Sequence, residues 1–180
     1  MLSWFAKRRH RSRTAQNLYG SIVTQARAPA FYREAGVPDT VEGRFELLVL
    51  HVFLVLDRLG TEGPEGNALA QQLVDTFVAD MDTTLRELGV GDMVVGKKVR
   101  SLAETFYGRL EGYRDALGAG GKVNLGQLLR DNLQLDREAG EAPGVALAEY
   151  VRDARVALRS QPLEKLEAGE LNFMMAQPEG

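Results

Sequence analysis

The residues whose types and spacing could do chemistry lie between Gly91 and Gly112. Gly91-Asp-Met-Val-Val-Gly96-Lys97 matches the opening of G-x-x-x-x-G-K, a loop whose backbone N–H groups and lysine hold phosphates. The match ends at Lys98, which stands where a hydroxyl should ligate magnesium. The preceding segment reads as a helix, not a strand, and Met-Val-Val suits a helix first turn. The spacing therefore argues against a nucleotide-binding protein using the Gly91–Lys98 turn.

No other pattern supports catalysis. The chain has no cysteine, which excludes disulfides, thiolate metal sites and cysteine nucleophiles. It has two histidines, His10 and His51, too few for a histidine-rich metal site. The serines have no plausible histidine partner. Asp75, Asp80 and Asp82 lack a second acidic helix to complete a metal cluster and read as a solvated face. His51 sits inside an apolar run and reads as a neutral core histidine that needs a hydrogen-bond partner. These residues point to a protein that is not an enzyme and uses no cofactor.

Charge is distributed unevenly. Residues 1–13 carry Lys7, Arg8, Arg9, Arg11 and Arg13 and no acid; with a whole-chain charge of −3, the remainder carries −8. Trp4 and Phe5 stand beside these cations, a combination suited to an anionic membrane interface. The alternative is a tail that binds nothing specific. Nucleic acid fits less well, because the acidic body offers no second basic patch. The start has no secretory pattern, and the longest apolar run, Leu47 to Leu56, is half the length of about 20 that a membrane span needs. The body is expected to be soluble and cytoplasmic, peripheral at the cytoplasmic face of the inner membrane.

The elements that would position these groups are helical. Ala15, Leu18, Tyr19, Ile22, Val23 and Ala26 recur at helix spacing over 14–26, and Pro29 and Gly36-Val-Pro38 punctuate the next stretch. Asp39 and Glu42 read as a capping pair for a helix over about 40–59, apolar nearly all round and so central. After a loop at 60–66, Leu69, Leu73, Phe77, Met81, Leu85 and Leu88 form a stripe, closed by Gly89 as a left-handed cap. The next helix, 92–117, has a core stripe from Val95 to Leu117 and a small-residue face of Ser101, Thr105, Gly108, Gly112 and Ala116. Its polar face includes Lys97, Arg100 and Tyr107. Gly108 and Gly112 cost about 1 kcal/mol each against alanine, so a close helix approach is expected there. Shorter helices run through Leu125–Leu133 and Leu147–Leu158, with a further turn at 163–167; Leu171 to Met175 is apolar without evident partners. The expectation is an all-α, irregular single-domain bundle of six to seven helices over 14–170, with tails at 1–13 and 171–180.

Two blocks of residues resemble a known family. Gly36-Val-Pro-Asp-Thr40, Gly43-Arg-Phe-Glu46 and Leu50-His51 are similar to the first block of the ubiquinol–cytochrome c chaperone family. Met81-Asp82, Leu85-Arg-Glu87, Gly89-Val-Gly-Asp92, Val95, Lys97-Lys98 and Phe106-Tyr-Gly-Arg109 are similar to its second, and the likeness spans about 15–160. The resemblance implies a bacterial, non-enzymatic assembly chaperone that binds newly made cytochrome b during assembly of the ubiquinol–cytochrome c reductase. By family analogy it also implies a ribosome or a small partner subunit as further partners. The partner-binding surface is expected at Lys97, Lys98, Arg100, Tyr107, Gly108, Arg109 and Gly112, and membrane contact at Trp4, Phe5, Lys7, Arg8, Arg9, Arg11 and Arg13. A peripheral membrane scaffold is the competing reading.

Overall fold

The computed structural model describes residues 2–173, with side chains from Ala6 onward. Eight α-helices and no strand occur among the described residues: α1 (Leu2–Ala26), α2 (Pro29–Arg33), α3 (Val41–Leu59), α4 (Gly63–Glu87), α5 (Asp92–Leu117), α6 (Leu125–Asn132), α7 (Ala142–Ser160) and α8 (Leu163–Glu167). Six have eight residues or more and two are single turns. They form the single all-α bundle that the periodicity predicts.

The centre is α3, whose residues from Leu47 to Leu56 are all buried except the half-buried Leu48. Such burial needs neighbours on every side, and α1, α4, α5 and α7 supply them. Phe77 of α4 stacks against Phe106 of α5 at 4.7 Å and against Phe45 of α3 at 6.3 Å, so three helices share one aromatic contact. The N-cap of α3 is Thr40, whose hydroxyl accepts the Gly43 N–H at 3.0 Å. Asp39, expected to cap, instead pairs with Arg44 at 2.7 Å, an interaction available only after the helix has turned once.

Two helix starts differ from the sequence expectation. α1 begins at Leu2 instead of Thr14, because Ala6 to Arg13 contains no breaker although its apolar periodicity has ended. Lys7 and Arg11 reach Glu65 at 2.7 and 3.5 Å, and Tyr19 donates to Asp80 at 2.6 Å, so α1 runs parallel to α4. α4 begins at Gly63, inside the expected loop, with Pro64 in its first turn, where a missing N–H is tolerated. A 3-10 turn, Gly60–Glu62, joins it to α3. At this corner a Cβ on Gly66 would lie 2.1 Å from the Leu59 carbonyl oxygen. Gly66→Ala is expected to cost about 2 kcal/mol or more and to lower Tm by about 5 °C or more. An unchanged Tm would mean that the corner is looser than described.

Beyond Ser160 the chain folds back over α1. Leu166 is buried, the Ser21 hydroxyl donates to the Gly169 carbonyl at 2.5 Å, and Phe173 closes on α3. The apolar tail thus finds its partners at residues far away in sequence. Residues 174–180, the rest of the expected C-terminal tail, lie outside the described residues.

Candidate partner-binding surface

The surface is built on the α4–α5 turn and the length of α5. Gly89 takes a φ of +83°, the Val90 N–H bonds Leu85 O at 3.0 Å, and the Gly89 N–H bonds Arg86 O at 2.9 Å. Those are the two bonds of a Schellman turn, with Gly89 at the left-handed position that the sequence predicts. Arg86 ties the two helix ends together, bonding Asp82 at 2.6 Å and also Asp92. Gly91 caps α5 in extended backbone, and its carbonyl takes the Val95 N–H at 3.0 Å. The phosphate-loop likeness is therefore the first two turns of a helix, with backbone donors from Val95 onward already used.

α5 turns Val95, Phe106, Leu110 and Tyr113 inward. Asn132 donates to the buried Tyr113 hydroxyl at 3.3 Å, and burial pushes that phenol up to about 12. Of the seven residues expected to bind a partner, Lys97, Lys98, Arg100, Tyr107 and Gly108 are exposed. No carboxylate lies within ion-pair distance of Lys97, Lys98 or Arg100 among the described residues. A Cβ on Gly108 would meet no atom within 4 Å, so the close approach expected there is not made within this chain.

Arg109 and Gly112 turn inward. Arg109 grips Glu46 of α3 through two nitrogens, Nε to Oε2 at 2.9 Å and Nη2 to Oε1 at 2.8 Å. The Glu46 side chain is 8% exposed and that of Arg109 32%, so the arginine screens a carboxylate that has almost no water. That hydrogen bond to Glu46 raises the arginine further above its ordinary value. Gly112 faces Leu128 of α6, 3.5 Å from its ideal Cβ. The sequence carried a weak sign of the ion pair: Glu46 is an isolated acid directly before an apolar run, and Arg109 lies one turn after the core residue Phe106.

The other candidate residues are spread over both ends of the bundle. Lys7 and Arg11 pair with Glu65, whereas Arg9 and Arg13 are exposed. Arg8 is exposed and engaged in an interaction of its own. The side chains of Trp4 and Phe5 lie outside the described residues. Asp75 accepts from Gln71, Asp80 from Tyr19 and Asp82 from Arg86, so each acid has its own donor. Among the described residues no group of three potential metal ligands is close enough to hold an ion, and no helix is long and apolar enough to cross a membrane.

His51 is fully buried. Its Nδ1–H donates to Leu47 O at 2.7 Å, which leaves Nε2 to accept the Tyr150 hydroxyl at 2.8 Å; Gln25 in turn donates to that hydroxyl at 3.2 Å. Phe31 and Phe173 stand edge-on to the ring at 5.1 and 5.2 Å. This aromatic enclosure pushes the imidazole down to about 4, so it is neutral, as expected of a core histidine.

Comparison with known proteins decides what the fold belongs to. A family model described as "Ubiquinol-cytochrome C chaperone" matches residues 33–173, starting later and ending later than the motifs alone suggest. The chain belongs to the ubiquinol–cytochrome c chaperone family. Both motif blocks of this chaperone lie inside the matched region, one flanking the start of α3 and the other the α4–α5 turn. The crystal structure of the Cbp3 homolog from Brucella abortus superposes with a TM-score of 0.80 at 38% identity, covering 97% of each chain. Ubiquinol-cytochrome-c reductase complex assembly factor 1 of Xenopus laevis is 26% identical over 139 residues, 77% of this chain and 68% of that protein. Its counterpart in Mus musculus is 26% identical over 103 residues, which is 57% of this chain and 35% of that one. The chaperone described here therefore matches only about a third of the length of the mouse relative.

Proposed function

We propose that this chain is a non-enzymatic assembly chaperone for the ubiquinol–cytochrome c reductase and that its client is newly made cytochrome b. Membership of the chaperone family and the names of its relatives support the assembly role. The observation that carries the binding surface is the outward flank of α5, where Tyr107 is exposed beside a glycine with open space above it. A client helix can approach the backbone closely at Gly108 and stack on Tyr107, as aromatic anchors do at the centre of interfaces. Lys97, Lys98 and Arg100 flank that lane at its N-terminal end. Arg109 and Gly112 belong to the same surface by supporting it from within.

A photo-cross-linker at Tyr107, used in detergent solution so that no bilayer contributes, is expected to capture cytochrome b. Lys97→Glu/Lys98→Glu should weaken the capture several-fold while leaving the fold intact. Unchanged capture in the charge-reversed variant would remove the lysines from the client surface. No capture at all from Tyr107 would remove the surface itself.

A further inference from the structure

We propose that the α4–α5 turn is a knob that seats on an anionic phospholipid surface. Leu88, Met93 and Val94 crown this turn with 63%, 98% and 46% of their surfaces exposed, three apolar side chains gathered at one end of the bundle. Burying them in water-excluding surroundings is favourable by roughly 25 cal/mol per Å², yet nothing among the described residues covers them. Behind them stand Lys97, Lys98 and Arg100, set at different angles around α5 and free of carboxylate partners among the described residues. At about 1.5 Å per residue, these cations lie roughly 6–10 Å behind Met93 along the helix. Interfacial segments sink their apolar face by about 5–10 Å, so the ammonium and guanidinium groups would stand at phosphate level with Met93 among the acyl chains.

The charge selects lipid over other occupants. From Leu85 to Ser101 the chain has four cations and two acids, on a body otherwise acidic, and both acids are next to the turn with Asp92 already held by Arg86. A second copy would oppose its own cations across the contact. An anionic headgroup layer attracts these cations and offers acyl chains to the apolar crown in front of them.

The knob is not the N-terminal cationic segment under another description. α1 runs parallel to α4, and Lys7 and Arg11 dock on Glu65, roughly 35 Å along α4 from Leu88. The two ends of the bundle are distinct, and the knob is the end proposed to face the bilayer. The proposal does not depend on the identity of the client. It places the Tyr107 lane beside the membrane surface, where a membrane-protein client would stand.

Flotation of the full chain with vesicles of phosphatidylcholine, with and without phosphatidylglycerol, tests this. Binding is expected only with the anionic lipid. Met93→Asp should weaken it roughly tenfold, and Lys97→Gln/Lys98→Gln roughly 20–30-fold, about fivefold for each cation. Arg9→Gln/Arg13→Gln should leave it within about twofold of the parent. All of these positions are exposed, so circular dichroism should confirm an unchanged fold. In a Trp4→Phe background, Met93→Trp should show a blue-shifted emission with anionic vesicles only. Equal flotation with pure phosphatidylcholine would overturn the proposal. So would tip variants that float like the parent, loss of binding through Arg9 and Arg13 alone, or lipid-free self-association abolished by Met93→Asp. None of these readouts involves cytochrome b, so failure here leaves the cross-linking result standing, and the reverse.

Discussion

Arg109→Met is expected to destabilise the chaperone by about 3–5 kcal/mol, because it leaves a buried charge without its partner. Glu46 keeps only 8% of its side-chain surface, and both of its oxygens are occupied by one guanidinium. Take the arginine away and that carboxylate has no other donor among the described residues and little water. The reverse change is milder. Glu46→Gln leaves Arg109 a third exposed and able to hydrate, and the new amide oxygen still accepts, so about 1–2 kcal/mol is lost. Combining the two removes the buried charge altogether, and the double variant should recover much of the loss seen in Arg109→Met alone. Urea unfolding of the four proteins measures this cycle. Equal costs for the two single variants, or no recovery in the double, would mean that the pair is solvated in solution. The result also separates stability from recognition: a client-binding defect in Arg109→Met that disappears in the double variant came from the fold.

The second large effect is a pH dependence at His51. The ring has an ordinary value of 6.5 and is held at about 4 by complete burial. Between those values the unfolded chain binds a proton that the folded chain refuses, so unfolding gains as pH falls. The stabilisation is fully present above pH 6.5 and is lost progressively from there down to about pH 4. Each unit of pKa difference corresponds to about 1.4 kcal/mol, which makes the whole change about 3 kcal/mol. His51→Gln keeps a donor for Leu47 and an acceptor for Tyr150 but has nothing to titrate. The difference in stability between parent and variant, followed by urea titration from pH 7 to pH 4, should shrink by about that amount. A difference that stays flat would show that His51 reaches solvent.

Much of the bundle was readable because it rests on local periodicity. The apolar stripes of α4 and α5 placed their inward faces, and Gly89 and Gly91 fixed the turn between them, so α5 runs over the residues expected of it. What periodicity cannot carry was misplaced. Residues 7–13 of α1 have no apolar face of their own and are held by Glu65, 54 and 58 residues away from Arg11 and Lys7. The start of α4 lies in a glycine-rich stretch whose helix depends on Pro64 and on a close approach to Leu59. The surface was read in the same uneven way. Residue type identified Lys97, Lys98, Arg100 and Tyr107 as outward, but Arg109 has the same surface character in sequence and only the fold brings it to Glu46. Met93 and Val94 read as ordinary helix residues, since exposure belongs to the packing and not to the pattern.

The return of the chain over its first helix has a consequence for the order of synthesis. α3 and α4 pack on α1, and α5 packs on α3 and α4, so these helices can pair as they emerge from the ribosome. The bond from Ser21 to Gly169 spans 148 residues, and the niche around His51 lacks a wall until Phe173 arrives. Every nascent chaperone thus passes through a stage with an assembled middle and an open His51–Tyr150 niche. Chains that stall before Leu166 lack this cover and keep apolar surface exposed. Leu166 and Phe173 are therefore the last large side chains among the described residues to enter the core in the order of synthesis.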